Sequence, residues 1–270
     1  MSRTGFAPSG SARIAYEVEG VGNGPPVMMV HAGVTDRRAW WPVVEALKPN
    51  HTTLTFDQRG FGDTTFTPED HSPVADALAV LDHAAVEGPV AVVGCSMGGR
   101  LALDLALAHA DRVAQLVLIG SACRGAPGPD AWPDSYREIG RALDAAEEAG
   151  DLDEVNRLEA WLWLDGPSVP EGRVTGPPRT MFLEMNRWAL GADDPGDEIE
   201  RPSAWDRLEQ IAAPTLVLIG ELDLEDVRAT SEGLAERIPG ATLEVLAGTA
   251  HVPHVERHPR CIEAIADFLD

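Results

Sequence analysis

Lysine is almost missing from this chain. Lys48 is the only one among 21 basic residues, set against 44 acidic residues in a total of 270, for a net charge of −23. A surface so short of cations repels phosphate backbones and anionic headgroups, which argues against nucleic acid and membrane surfaces as partners. Schiff-base or lysine-base chemistry has a single candidate, and Lys48 sits beside Pro49 and Asn50 in a turn-like stretch. Cysteine is scarce too. Cys95, Cys123 and Cys261 are odd in number and widely spaced, which excludes a disulfide framework or zinc knuckle and points to a reducing, cytoplasmic compartment. The first ten residues have no apolar core of the signal-peptide kind, and no apolar run approaches the roughly 20 residues needed to span a bilayer.

What is present is an ordinary globular composition, 44% hydrophobic, in a length that suits one large domain or one domain with an insertion. Residues 14–18 alternate like a half-exposed strand. Runs rich in Val, Leu and Ile at 27–30, 52–56, 90–93, 116–119, 216–219 and 243–246 read as strands buried on both faces. Between them Trp40, Trp41, Val44 and Leu47 recur at helical spacing, as do Leu101, Leu105 and Ala108, and later Ile262, Ile265, Ala266 and Leu269. Strand alternating with helix predicts an α/β protein built on a mostly parallel, doubly wound sheet.

Residues 122–205 break the alternation. Tyr136, Ile139, Leu143 and Ala146 suggest one helix. Asp151 and Glu154 form a candidate capping box for a second, and Met181, Phe182, Met185, Trp188 and Ala189 suggest a third. The expected division is a core of residues 1–121 and 206–270 with a helical cap at 122–205. Five of the seven tryptophans fall in that cap: Trp132, Trp161, Trp163, Trp188 and Trp205. They either pack it onto the core or line a pocket beneath it.

The strongest chemical signal is Gly94-Cys95-Ser96-Met97-Gly98, placed between a buried strand and an amphipathic helix. A G-x-S-x-G turn in that setting is a nucleophile elbow. The sharp turn projects the serine hydroxyl above the sheet, and the helix N-terminus offers amides to a developing oxyanion. A serine needs a base to take its proton and a third group to orient that base. Asp223 and His251 follow in the expected chain order, each just past a predicted strand, where a parallel sheet presents its functional edge. Glu221, Glu225 and Asp226 compete for the acid, and His254 competes for the base. Gly120-Ser121-Ala122-Cys123, after the preceding strand, holds no carboxylate. His31-Ala32-Gly33-Val34 follows the strand at 27–30, and the Gly33 amide can join that of Met97 as an oxyanion donor.

These pieces resemble the α/β-hydrolase fold superfamily, in its lid-bearing serine hydrolase branch. The matching segments are Val30-His31-Ala32-Gly33, Asp57-Gln58-Arg59-Gly60-Phe61-Gly62, residues 94–99, Gly220 to Asp223 and Gly248 to His251. Within that superfamily the chain is similar to 3-oxoadipate enol-lactonases, cofactor-free haloperoxidases and small esterases. The resemblance covers residues 14–269 and departs from the family pattern at Ala32, where glycine is usual. It favours Asp223 as acid and His251 as base. A serine nucleophile disfavours the dehalogenase and epoxide hydrolase chemistries, which use aspartate there.

The resemblance therefore implies a carboxylic ester hydrolase of esterase or lactonase type, with Ser96, Asp223 and His251 catalytic and Gly33 and Met97 forming the oxyanion hole. No cofactor and no metal are expected; His254 and His258 are spaced for a metal, but the segment is not H-E-x-x-H. Candidate substrate contacts are His31, Val34, Trp132, Trp161, Trp163, Met185 and Trp188. They suggest a small apolar or aromatic ester or lactone, neutral or weakly charged unless arginines such as Arg124 or Arg187 reach the pocket. The alternatives are C–C bond hydrolysis or perhydrolysis by the same triad, and a non-catalytic ligand binder. Cys95 reads as a small buried residue, Asp57 and Arg59 as structural ties, and Asp193-Asp194 with Asp197-Glu198 as solvated loop.

Overall fold

The computed structural model describes residues 2–22, 24–128 and 134–270. Among them, eight strands form one sheet: β1 (Arg3–Ser9), β2 (Ala12–Glu19), β3 (Val27–Val30), β4 (Thr53–Phe56), β5 (Val90–Cys95), β6 (Val113–Ile119), β7 (Thr215–Gly220) and β8 (Thr242–Leu246). Their order is β1-β2-β4-β3-β5-β6-β7-β8. β1 and β2 pair antiparallel, as do β2 and β4, and every pairing from β4 to β8 is parallel. The expected mostly parallel, doubly wound sheet is therefore present.

The apolar runs of β3, β5 and β7 are buried at every residue because helices cover both faces. On one face Met28, Val30, Val92, Leu118 and Val217 pack with α2 (Pro73–His83), α3 (Met97–Ala108) and α7 (Glu225–Arg237). On the other, Val27, Met29, Val93, Ile119 and Leu218 meet α1 (Trp41–Leu47) and α8 (Pro259–Leu269). Successive residues thus serve opposite cores, as the two-residue period of a strand requires. Each fully buried large side chain, such as Phe56 or Trp40, contributes about 1.5–3 kcal/mol through the apolar surface it removes from water.

Two strands differ from expectation. β1 is unforeseen: Gly5 and Pro8 interrupt its sequence, and only Ala7 is buried. It survives as an edge strand through seven residues of register with β2. β8 is not buried on both faces; Leu243 and Val245 are exposed because it closes the other edge.

Between β6 and β7 the chain forms α4 (Asp134–Ala149), α5 (Leu152–Glu159), a π-helical continuation (Ala160–Asp165) and α6 (Pro177–Leu190). The Asp151 carboxylate caps α5 by accepting from the Glu154 amide at 3.1 Å. Glu154 does not complete a capping box: its carboxylate pairs with Arg157, and the Asp151 amide donates to the Ala146 carbonyl instead. Ile139, Leu143, Val155, Leu158 and Leu162 pack into a small core with Leu224 from the segment after β7. No helix among the described residues is long and apolar enough to cross a membrane.

Candidate active site

β3 and β5 lie side by side, with Val30 in register with Gly94. Their carboxyl ends therefore bring the 31–34 loop against the 94–98 turn. Ser96 stands between β5 and α3 at φ 52°, ψ −115°, a left-handed conformation costing a non-glycine residue about 1–3 kcal/mol. Backbone bonds from both sides hold it there. The Ser96 amide donates to Ile119 O at 3.0 Å, and its carbonyl accepts from Arg100 N and Ala122 N at 3.0 and 3.1 Å. Gly98 makes the turn possible, since a Cβ there would lie 2.1 Å from the Val30 carbonyl oxygen. Met97 opens α3, so its amide is one of those without an intrahelical acceptor. Gly33 is its neighbour: a Cβ on Gly33 would sit 3.8 Å from Met97 Sδ. Ala32, the departure from the family pattern, is fully buried, and its carbonyl accepts from Thr35 N at 3.2 Å.

Asp223 and His251 follow β7 and β8, whose last residues pair as Gly220 with Leu246. The two loops are tied by Leu222 N donating to Thr249 O at 3.0 Å. His251 Nδ1 lies 2.8 Å from Asp223 Oδ2, and both side chains are buried. A carboxylate accepts, so Nδ1 is the donor of this pair. The other carboxylate oxygen accepts from Leu224 N at 2.8 Å, which fixes its rotamer. The His251 backbone is anchored by its amide to Trp163 O at 3.2 Å, and the Trp163 ring packs at 4.7 Å against the imidazole. Gly120, at the end of β6, was not singled out from sequence. It has φ +47°, and a Cβ there would meet His251 Nδ1 at 3.0 Å and Asp223 Oδ2 at 3.1 Å. A glycine directly after a buried strand beside the elbow strand was the available signal.

The rival acids and base occupy other roles. Glu221 accepts from Gly248 N, while Glu225 and Asp226 begin α7. His254 is fully buried, stacked on Trp40 at 4.1 Å, and neither ring nitrogen has a hydrogen-bond partner. Burial, and secondarily His251, push its pKa down to about 3, so it stays neutral. Burial raises the Cys95 thiol far above its ordinary value, so it remains an inert packing residue. No group of His, Cys, Asp and Glu among the described residues is arranged to hold a metal.

The candidate substrate contacts divide. Trp163 touches His251, and Val34 is half-buried beside the Gly33 turn. His31 does not face a pocket: it is fully buried, with Nε2 accepting from Gln58 N at 3.0 Å and Nδ1 donating to Ala32 O at 2.8 Å. It fixes the loop instead. Met185 is likewise buried, in the core between the sheet and α6. Trp161 packs among the helices between β6 and β7, with Nε1 donating to Val169 O at 2.8 Å. Trp188 is 60% exposed on α6, and Trp132 lies outside the described residues. Glu198 is no solvated loop acid; it binds Arg100 through both carboxylate oxygens, at 2.5 and 2.6 Å. Asp57 and Arg59 are structural ties, Asp57 to Arg37 and Arg59 to Asp76 and Glu69.

This chain belongs to the alpha/beta hydrolase fold family, whose model matches residues 25–258. It is 31% identical to the 2-hydroxymuconate semialdehyde hydrolase of Pseudomonas sp. strain CF600, over 96% of this chain and 92% of that protein. It is 26% identical to the pimeloyl-[acyl-carrier protein] methyl ester esterase of Xanthomonas oryzae pv. oryzae strain MAFF 311018, over 93% and 98% respectively. Among solved structures, a thermophilic esterase from Thermogutta terrifontis superposes with a TM-score of 0.73 at 26% identity, covering 100% of this chain and 98% of that one.

Proposed function

We propose that the chain is a serine hydrolase that cleaves a carboxylic ester or lactone. The observation that carries this reading is the buried 2.8 Å pair of Asp223 and His251 at the sheet edge where the strained Ser96 elbow stands. In the proposed reaction His251 Nε2 takes the Ser96 proton as Oγ attacks the carbonyl. The carbonyl oxygen becomes an oxyanion held by the Gly33 and Met97 amides, each such donor being worth about 2.7–4 kcal/mol. Asp223 stabilises the imidazolium, which then gives its proton to the departing alcohol. Water, deprotonated by the same imidazole, attacks the acyl-enzyme and releases the acid. The helices at 122–205 act as a cap over this edge, and no cofactor enters the scheme.

The test is turnover of short neutral esters and lactones by wild type and by Ser96→Ala. The variant is expected to lose turnover by about 10⁶-fold while its melting temperature stays near that of wild type. Retained turnover in Ser96→Ala would sink the proposal. C–C bond hydrolysis is a second reading, favoured by the likeness to a 2-hydroxymuconate semialdehyde hydrolase. A vinylogous diketone substrate, assayed beside the esters, separates the two; adding peroxide to the ester assay tests perhydrolysis.

A further inference from the structure

A cavity of about 380 Å³ adjoins the candidate oxyanion site, and Met97 forms part of its wall. It lies between the 56–61 segment and the loop that follows α6. The same two structures that shape the oxyanion loop shape this cavity. Met97 supplies both an elbow amide and wall surface. Gln58 and Phe61, on the wall, are bound to His31: the Gln58 amide group donates to His31 O at 3.1 Å, and Phe61 meets the imidazole edge-on at 4.8 Å. The cavity thus meets the proposed site at Met97, while Gly33, Ser96, Asp223 and His251 do not line it. A second hollow of about 420 Å³ shares Gly60, Phe61, Ala192 and Asp193 with it and carries the exposed Trp188 on its rim.

The free charge of this cavity lies at its mouth. Its apolar wall includes Phe56, Phe61, Pro73, Met97 and Ala189, and of its four acids Asp76 is paired with Arg59 and Glu198 with Arg100 and Arg124, which leaves Asp193 and Asp194 without an ion-pair partner among the described residues. The one guanidinium on the wall, Arg59, is already consumed. Its Nε and Nη2 bind Asp76 at 2.8 and 3.0 Å, Nη1 binds Glu69 at 2.8 Å, and Nη2 also reaches Ser9 O at 2.8 Å. His71 Nδ1 is turned to the Glu69 carbonyl at 3.3 Å. Of the two arginines that sequence put forward as pocket cations, Arg124 is held by Asp104 and the wall acid Glu198, and Arg187 binds Asp153 away from the cavity. Asp193 and Asp194 are exposed at the mouth, with no arginine or lysine on the lining besides Arg59.

Resting on the hydrolase reading above, we infer that this cavity receives one half of the ester and selects that half by charge. It takes an apolar chain with a neutral or ammonium end and rejects one ending in a carboxylate. A carboxylate there would have to pass Asp193 and Asp194, while Arg59, the guanidinium on the wall, is already bound to carboxylates; an ammonium end meets Asp193 and Asp194 favourably.

The experiment uses the full chain at low ionic strength and two matched series. One varies the acyl end: nitrophenyl esters of hexanoate, aminohexanoate and adipate. The other varies the alcohol end: acetate esters of hexanol, aminohexanol and hydroxyhexanoate. In the series whose variable half enters the cavity, kcat/KM for the carboxylate-ended ester should fall about tenfold below the neutral one, with the ammonium-ended ester at or above neutral. Asp193→Asn/Asp194→Asn should narrow the ammonium-to-carboxylate ratio by about threefold or more. Glu232→Gln/Glu236→Gln, which removes the same charge from exposed positions of α7 outside the cavity, should leave it unchanged. Equal rates for carboxylate-ended and neutral esters in both series would overturn the inference. So would an equal shift from the two double variants, since net charge alone would then explain the ordering. Turnover of neutral esters without charge ordering removes this inference and leaves the hydrolase reading standing. If no ester is turned over, the hydrolase reading fails. The cavity is then judged by thermal shift with hexylamine, hexanol and hexanoate, in which hexanoate must stabilise least.

Discussion

The carboxyl edge of the sheet and the helices between β6 and β7 are built on different principles. At the edge, each residue of the proposed triad is held by short, directional contacts. Ser96 is locked by three backbone bonds, Asp223 by the Leu224 amide, and His251 by Asp223 on one side and Trp163 on the other. The helices at 134–190 share a small core with Leu224 and lean on the sheet through apolar packing by Phe182, Met185 and Leu164. Their polar ties to the edge are few. Arg173 reaches the Gly248 carbonyl at 2.9 Å and Glu256 at 2.7 Å, and Trp163 O accepts from His251 N. Geometry is thus over-determined at the edge, where the proposed reaction takes place, and looser in the helices. Substitutions at the edge should therefore change rate at little cost in stability, and substitutions on the outer helices should change neither greatly.

After Ser96→Ala, the largest effect is expected at the acid. Asp223→Asn keeps the shape but lets the amide favour the wrong imidazole tautomer, so kcat should drop by about 10⁴-fold in stopped-flow or steady-state assays. Gly120→Ala sharpens the comparison. Its Cβ would press on His251 Nδ1 from 3.0 Å, and a displaced base should reduce kcat by up to about 10²-fold, with the melting temperature lowered by a few degrees because alanine at φ +47° costs about 1 kcal/mol or more. An Ala variant with full activity would show that the edge tolerates more slack than the contacts imply.

His254 tests whether burial alone makes a useful histidine. It lies three residues from His251 but has no carboxylate partner, and its pKa is pushed down to about 3 by burial. The unfolded chain takes up this proton below about pH 6.5, and the folded chain cannot do so until pH 3 is approached. Unfolded protein is therefore favoured as pH falls through that window, by about 1.4 kcal/mol per pH unit for one proton. Urea midpoints of wild type and His254→Phe should diverge as pH is lowered from 6.5, with the variant losing less stability. Parallel pH profiles would mean that His254 finds a partner for its proton in the fold. The smallest effect is expected at Trp188, whose exposed ring on α6 predicts a change within about 0.5 kcal/mol in denaturant unfolding of Trp188→Ala.

The same contrast explains what sequence could reveal. Residues at the ends of buried strands are legible, because a run such as Val90–Cys95 fixes where the chain leaves the sheet and on which edge. The places of Ser96, Asp223 and His251 just past β5, β7 and β8 are legible that way. Which of the candidate contacts face a pocket is not, because helical spacing tells which residues share a face but not which neighbour that face meets. Met185 and Trp188 are three residues apart on α6, yet one is sealed in the core and the other stands in solvent. His31 looked like a pocket residue by its place in the oxyanion loop, and only the packing of Gln58 and Phe61 around it revealed a brace. β1 was hidden by Gly5 and Pro8, since its stability comes from register with β2 rather than from apolar content.

If the strained Ser96 is a nucleophile activated by His251, a fluorophosphonate should mark it, and the mass of the folded protein after exposure, followed by peptide mapping, reads this out. A single adduct is expected on the peptide containing Ser96, absent in Ser96→Ala and strongly slowed in Asp223→Asn. An unmodified Ser96 in folded wild-type protein would rule that role out.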